Sequence, residues 1–198
     1  PEITTRKQVS NIFNQLDTAA AQLGITLIGG HTEISYDLPR PIVVGVMLGE
    51  VDKEKVVLTS GAKLGDILIL TKGIAIEGTS ILAREAAPML RKKGVSSTTI
   101  RSAKEFLFDP GISVVKDAAV VCAVSDVHAM HDPTEGGLAS ALQEMGQAGC
   151  VGLEIDGDNV PVLPECEEFC HALKLDPMGL IASGALLAAV SPRDIEKL

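Results

Sequence analysis

The residue types best suited to chemistry are concentrated between positions 130 and 138 of the chain. A carboxylate, Asp132, precedes Pro133, which fixes its own φ and favours extended backbone at the residue before it. Thr134 is a candidate N-cap for a helix whose apolar residues would share one face, because they recur every three or four positions. Those residues are Leu138, Ala141, Leu142 and Met145. The pattern predicts a strand, a turn that carries a carboxylate, and then a helix.

Glycines occupy the first turn of that predicted helix. Because Gly136 and Gly137 have no side chains, the unpaired N–H groups and the positive end of the helix dipole would face an anion. A phosphate or metal–phosphate contact is therefore predicted here. The alternative, an ordinary helix start with an acidic neighbour, remains open.

Another pair of glycines follows a predicted buried strand near the start of the chain. Gly29 and Gly30 would let the backbone approach a ligand closely, and the polar side chains of His31, Thr32 and Glu33 follow directly. This pattern indicates a ligand contact, with a simple bend between two strands as the alternative.

A third glycine turn resembles a phosphate-binding loop only in part. Gly73 and Gly78 have the separation of that motif, but the lysine that should follow Gly78 is absent, and Glu77 would repel a phosphate. The sequence is therefore not a Walker A motif. Gly78 and Thr79 are candidates for a weaker anion contact at a helix N-terminus, with a capped helix start as the alternative.

Histidine spacing gives little support for a metal centre. His128 and His131 lie three positions apart on a predicted strand, so their side chains would point to opposite faces. Asp126 and Asp132 share the face of His128, which leaves a carboxylate-rich Mg²⁺ site open.

The cysteines indicate a reduced protein. Cys166 and Cys170 lie four positions apart on a predicted helix, but no second pair of zinc ligands exists in the sequence, so we expect them in the core. Cys122 and Cys150 also fall within a chain rich in apolar residues. A cytoplasmic protein without disulfides is therefore favoured.

The elements that would position these groups alternate along the chain. Helices are predicted over Thr5–Leu23, Thr79–Lys92, Val114–Val124 and Glu165–Leu173, and a further helix is predicted directly after its candidate cap Thr134. Strands are predicted over Ile25–Ile28, Pro41–Val51, Asp66–Thr71, Ser125–His131, Gly152–Asp156 and Ala185–Ser191. This alternation predicts an α/β fold in which helices flank a layered mixed sheet. Because the chain starts at Pro1 and stops just after a helix start at Pro192, we expect truncation at both ends.

Composition excludes two classes of function. The 198 residues carry a net charge of −9 and 3% aromatic residues, with no basic stripe, which disfavours nucleic-acid binding. The apolar runs are the length of strands and too short to span a membrane.

Several motifs, taken in order, resemble those of the aminoimidazole ribonucleotide (AIR) synthase-like ATP-binding superfamily, and most of all its HypE-type hydrogenase maturation branch. They are Gly29–Glu33, Ser60–Asp66, Asp132–Leu138, Leu175–Pro177 and Ser183–Leu187. The resemblance implies a two-domain subunit that dimerises through its N-terminal domain. Residues 1–24 would be a connecting helix from a missing N-terminal ATP-binding domain, and residues 25–198 a C-terminal domain.

The resemblance also implies a reaction. In the family, ATP phosphorylates an amide-like or carbonyl oxygen and makes it a leaving group. In the HypE branch the acceptor is a thiocarboxamide on the protein's own C-terminal cysteine, which is dehydrated to a thiocyanate for the [NiFe] centre. ATP and Mg²⁺ are the implied cofactors, bound mainly by the missing domain. This chain alone is therefore expected to be inactive, and other hydrogenase maturation proteins are candidate partners.

By the same resemblance, Gly29–Glu33 would contact nucleotide and Asp132–Gly137 the phosphate or substrate, with Asp132 and Glu135 as the candidate catalytic residues. The HypE pattern has Asp and Lys where this chain has His31 and Glu33, and Arg where this chain has Glu135. These differences place negative charge where the HypE branch has positive charge beside the phosphates. AIR synthase, selenophosphate synthetase, thiamine-phosphate kinase and a non-catalytic nucleotide-binding paralogue therefore remain alternatives.

Overall fold

The computed structural model of the chain describes residues 4–197. They form two compact units, which divide in sequence between Glu50 and Val51.

The first unit begins with a long helix. Helix α1 spans Arg6–Leu23, with Thr5 as the N-cap of a capping box that it forms with Gln8, and with Gly24 as a left-handed C-cap. The predicted helix over Thr5–Leu23 is confirmed because both of its end signals are local in sequence.

The rest of the first unit contains no strand among its described residues. The strands predicted over Ile25–Ile28 and Pro41–Val51 are wrong, and so is the burial expected for them, since Ile28, Val44 and Val46 are 84–86% exposed. β-Branched residues fit pleated, half-buried surfaces, but a strand also needs partners for its backbone hydrogen bonds. Here the structure provides none.

The described part of the second unit contains the sheet and six further α-helices. The strands are β1 (Ile67–Leu70), β2 (Val127–His131) and β3 (Leu187–Val190). The helices are α2 (Ile76–Glu85), α3 (Ala87–Lys92), α4 (Ser97–Lys104), α5 (Val115–Val124), α6 (Gly137–Gly149) and α7 (Pro164–Leu173). The predictions of β1, β2, β3, α5 and α7 are confirmed within a few residues at each end.

The sheet has the strand order β1-β3-β2, and both pairings are antiparallel. Its middle strand, β3, is buried at every position because other elements cover both faces. The side chains of Ala129 and Ala189 face α6, whereas Ala188 and Val190 pack against Val121 of α5. The α/β fold class is therefore confirmed, with antiparallel strands and a parallel bridge between Ile74 and Val162.

A second apolar cluster joins four helices away from the sheet. It is formed by α2, α3, α4 and α7, with Phe169 of α7 fully buried at its centre. None of the described helices is both long enough and apolar enough to cross a membrane.

The structure differs from the sequence prediction at three further elements. The helix expected over Thr79–Lys92 is two helices, because Pro88 occupies the first turn of α3 and cannot continue the hydrogen bonds of α2. The strand expected over Gly152–Asp156 is unpaired, since a groove of about 610 Å³ lies between this segment and β1. Helix α4 was not predicted, although Ser96 caps it by accepting from the Thr99 N–H.

Candidate functional site

The predicted phosphate contact lies where β2 ends and α6 begins, in the segment that we call the 132–137 turn. Thr134 does not cap the helix with its side chain; Gly136, in a left-handed conformation, is the N-cap. The prediction that Thr134 is the N-cap is wrong, because α6 begins at Gly137, two residues later than a cap at Thr134 would place it. The Thr134 carbonyl instead accepts from Gly137 N–H at 3.0 Å and from Ala182 N–H at 3.2 Å.

Both glycines of the 132–137 turn are required by geometry. Gly136 has φ 79° and Gly137 has φ 65°, a region that other residues enter only at a cost. A Cβ atom on Gly137 would lie 2.4 Å from the Met178 carbonyl oxygen and 2.5 Å from that of Leu180. The turn is therefore pressed against the backbone of residues 178–180.

Four backbone N–H groups at this helix start have no acceptor among the described residues. They belong to Glu135, Gly136, Leu138 and Ala139. Such unpaired groups, with the dipole of a helix of 13 residues behind them, form the usual binding site for a phosphate. The side chains of Asp132 and Glu135 are exposed beside them. The turn can thus donate hydrogen bonds to an anion, while its carboxylates can bind a cation that accompanies the anion.

The start of α2, the other predicted phosphate contact, is already occupied by protein. Gly78 N–H donates to the Ile181 carbonyl at 3.0 Å, and Glu77 N–H donates to the Ser183 carbonyl at 3.2 Å. The Thr79 side chain is fully buried. Its hydroxyl can form only a weak hydrogen bond, with the neighbouring Cys166 thiol. This geometry does not favour an anion at Gly78 and Thr79.

One segment connects the two helix starts. Residues 181–183 accept from the first turn of α2, and Ala182 N–H donates to the 132–137 turn. The two glycine turns are therefore held by the same stretch of backbone, which uses the Glu77 and Gly78 donors of α2 and donates to the 132–137 turn.

The remaining predicted contacts, Gly29–Glu33, belong to the first unit. Their backbone is irregular and exposed, and a Cβ atom added at Gly29 or Gly30 would meet no other group within 4 Å. His31 lies 3.7 Å from Glu33, with both side chains largely in solvent. Within the second unit, Asp132, Thr134, Glu135, Gly136 and Gly137 share one turn, whereas Gly78 and Thr79 lie at the start of α2.

The two histidines of β2 have separate partners. His128 Nδ1 lies 2.7 Å from Asp66 Oδ1, and its Nε2 lies 3.3 Å from Asp126 Oδ2. His131 Nε2 lies 2.6 Å from Glu144 Oε2 on α6. Asp126 therefore contacts His128 and does not join Asp132 in a carboxylate pair, and the described residues contain no cluster of ligands suited to a metal ion.

Lys72 is a partly buried cation that no sequence motif singles out. Its Nζ lies 3.2 Å from Asp117 Oδ2 and donates to the carbonyls of Gly111 and Ser113 at 3.1 and 3.0 Å. Its role is structural, because these partners use the donors of the ammonium group. Sequence spacing could not have signalled this contact, since the partners lie about forty positions away.

All four cysteines are free, and the predicted burial of Cys166 and Cys170 is confirmed. Their sulfur atoms are 4.0 Å apart on α7. Burial raises the pKa of the Cys170 thiol to about 12 and also raises the pKa of the Cys166 thiol. Both therefore remain neutral thiols near pH 7, which argues against a nucleophilic role.

Comparison with protein families places most of the second unit in a known group. The family model of the AIR synthase related protein, C-terminal domain, matches residues 63–198. The match includes β2, the 132–137 turn, α6 and residues 178–183, which build the site described above.

Curated relatives have matching sequences over nearly the whole chain. A putative hydrogenase expression/formation protein of Methanocaldococcus jannaschii is 27% identical over all of this chain and 55% of its own length. The carbamoyl dehydratase HypE of Cupriavidus necator is 27% identical, over 96% of this chain and 51% of its own. A selenide, water dikinase of Escherichia coli is 32% identical, over 91% of this chain and 48% of its own. The chain thus spans about half the length of these relatives.

Solved structures share the fold. A HypE–HypF complex matches with a TM-score of 0.65 and 20% identity, over 98% of this chain and 60% of the matched one. HypE in complex with ATP matches with a TM-score of 0.54 and 22% identity, over 75% of this chain and 41% of the other. At these identities the likeness concerns the fold alone.

Proposed function

The chain belongs to the family of AIR synthase related protein C-terminal domains, and from that membership we propose that it is part of an ATP-dependent enzyme of the HypE type. In the whole protein this part would bind phosphate groups of ATP, or the phosphorylated substrate, at the 132–137 turn. The proposal extends to this chain what two relatives are named for, hydrogenase formation and carbamoyl dehydration.

The observation that carries the proposal is the set of free N–H groups at Glu135, Gly136, Leu138 and Ala139. They lie at one helix start and have no protein acceptor among the described residues. Charge that develops on a transferring phosphoryl group is stabilised by such preorganised donors. The start of α2 provides a contrast within the same unit, because its Glu77 and Gly78 N–H groups already donate to carbonyls of the protein.

Mg²⁺ is the proposed companion of the phosphate. The exposed carboxylates of Asp132 and Glu135 flank the free donors, and they would repel a bare phosphate. Oxygen ligands from one or two carboxylates and from phosphates are the coordination that Mg²⁺ prefers. We therefore assign Asp132 to the metal–phosphate complex, and Glu135 to the same complex or to the substrate.

The proposed reaction activates an amide-type oxygen. That oxygen would attack the γ-phosphorus of ATP, and ADP would leave. The phosphorylated oxygen would then depart as inorganic phosphate while the nitrogen loses its protons, which converts the carbamoyl group into a nitrile. The chain's contribution is to hold phosphate oxygens in place during both steps. The nucleotide contacts of Gly29–Glu33, a homodimer, a cytoplasmic location and contacts with other maturation proteins belong to the same proposal for the whole protein.

The first test is ATP turnover by the full-length protein with the Asp132→Asn substitution. We expect ATP hydrolysis to fall by about 100-fold or more, since electrostatic groups at a transferring phosphoryl typically contribute on that scale. Asp158→Asn is the matched control, because Asp158 is an exposed carboxylate far along the chain from the turn. Equal hydrolysis by Asp132→Asn and wild type would remove Asp132 from the mechanism.

Product analysis separates the alternative branches. A carbamoylated protein or peptide acceptor that loses water in an ATP-dependent reaction supports the HypE type. Turnover only with selenide would instead support the branch named selenide, water dikinase, and turnover only with thiamine monophosphate the kinase branch. Nucleotide binding without any turnover would support the non-catalytic paralogue. We expect the 198-residue chain by itself to hydrolyse no ATP.

A further inference from the structure

The His131–Glu144 contact joins the two elements that flank the 132–137 turn. His131 is the last residue of β2, and Glu144 lies near the middle of α6, which begins just after the 132–137 turn. The Nε2 and Oε2 atoms are 2.6 Å apart, a short hydrogen bond. The imidazole is 21% exposed and the carboxylate is 60% exposed. The contact therefore links the residue before the turn to a residue after it, through side chains that are partly exposed to solvent.

The rest of the turn is held by contacts on its buried side. Pro133 is buried, the Thr134 carbonyl accepts two backbone hydrogen bonds, and Gly137 is pressed against residues 178–180. On the exposed side, the side chains of Asp132 and Glu135 form no hydrogen bond with the described residues. His131–Glu144 is thus the side-chain tie nearest to the groups proposed to meet phosphate.

We propose that His131 is a positioning residue for the 132–137 turn: its hydrogen bond to Glu144 fixes the end of β2 relative to α6 and so orients Asp132 and the free N–H groups. The assignment to phosphate binding rests on the proposed function, whereas the ordering of the turn does not. Because Asp132 is the next residue in the chain, a change in the backbone at His131 is passed directly to its carboxylate.

Substitutions at this pair separate positioning from folding. His131→Ala removes the hydrogen bond, whereas His131→Gln keeps an N–H donor near the position of Nε2. Glu144→Ala removes the acceptor from a largely exposed site, so the fold is expected to persist. His128→Ala is the matched control, because His128 lies on the same strand and also contacts carboxylates, but those of Asp66 and Asp126.

Two measurements on the 198-residue chain test the proposal. Amide hydrogen exchange at Glu135, Gly136, Leu138 and Ala139 reports the order of the turn, and titration with ATP and Mg²⁺ reports phosphate binding. We expect His131→Ala and Glu144→Ala each to accelerate exchange at these four amides and to weaken ATP binding about tenfold, or about 1.4 kcal/mol. His131→Gln should restore both to near wild-type values, and the double alanine variant should be no worse than either single variant.

The outcomes distinguish this proposal from the proposed function. If His131→Ala leaves exchange at the turn unchanged, or disturbs it no more than His128→Ala does, the positioning role is wrong. Failure of His131→Gln to rescue would also overturn it. If the wild-type chain binds no ATP, this chain does not bind phosphate without the rest of the whole protein, and the exchange data still decide whether His131 orders the turn.

Discussion

At the scale of single residues, Gly137 shows how a functional turn depends on the absence of a side chain. Its positive φ and the carbonyls at 2.4 and 2.5 Å from a Cβ position leave no relaxed conformation for alanine. We expect Gly137→Ala to lower the free energy of unfolding by about 1–3 kcal/mol or more, measured by urea denaturation.

The matched control for that variant is Gly152→Ala. Gly152 has no group within 4 Å of a Cβ position and no positive φ, so alanine there should change stability by no more than about 0.5 kcal/mol. Equal stability of the two variants would mean that the turn can move away from residues 178–180 at little cost.

Residue types also limited what the sequence could predict about the site. Pro133 and the glycine pair predicted a turn before a helix because their backbone restrictions are local. The choice between the two candidate helix starts was not predictable, since it depends on Ile181 and Ser183, which lie about a hundred residues after α2 and use its donors. The His131–Glu144 and Lys72–Asp117 contacts were missed for the same reason, because both depend on tertiary packing.

At the scale of elements, Lys72 ties the connection between β1 and α2 to the loop before α5. Its side chain is 17% exposed, and its ammonium group bonds Asp117, Gly111 and Ser113. We expect Lys72→Met to lower the free energy of unfolding by about 2 kcal/mol, because hydrogen bonds from a charged group are lost and two carbonyls lose their donor. Thermal or urea unfolding of the second unit measures the effect.

Lys55→Met provides the comparison. The ion pair between Lys55 and Asp52 is 2.9 Å long, but both side chains are more than 70% exposed. Solvent screens such a pair, and its loss should cost about 0.2–1 kcal/mol. If Lys55→Met were the more damaging substitution, burial would not be the reason for the importance of Lys72.

Helices and strands differed in how well the sequence predicted them. Helix α1 was predicted to its ends because its capping box and C-terminal glycine lie within the helix sequence itself. Strand prediction succeeded for β1, β2 and β3, which have partners, and failed for Ile25–Ile28, Pro41–Val51 and Gly152–Asp156, which have none. Apolar periodicity identifies segments that can pair, but pairing itself is a property of the whole unit.

At the scale of the whole molecule, the buried thiols make the free energy of unfolding depend on pH in the alkaline range. The pKa of Cys170 is about 12 in the folded chain against an ordinary 9.0, and that of Cys166 is also raised. At pH values between 9.0 and about 12, the unfolded chain releases thiol protons that the folded chain retains. The free energy of unfolding therefore falls as pH rises above 9.0. Below that pH both states are protonated and the thiols contribute no pH dependence.

Urea titrations at pH values on either side of 9.0 test this dependence. Cys170→Ala should flatten the alkaline decline relative to wild type, whereas Cys122→Ala, at an exposed cysteine, should retain it. The same alkaline slope in wild type and Cys170→Ala would show that other groups cause the decline.

The order of the strands has a consequence for how the molecule is made. Among the described residues, strands β1 and β2 do not pair with each other, and each pairs with β3, which follows them by more than fifty residues. During synthesis, therefore, neither strand has a partner until residues 187–190 have left the ribosome. Contacts between distant parts of a chain form slowly, and unpaired strands are prone to association with other chains. The nascent chain is accordingly exposed to association with other chains until β3 is available, and helix formation in α2 to α7 does not depend on β3.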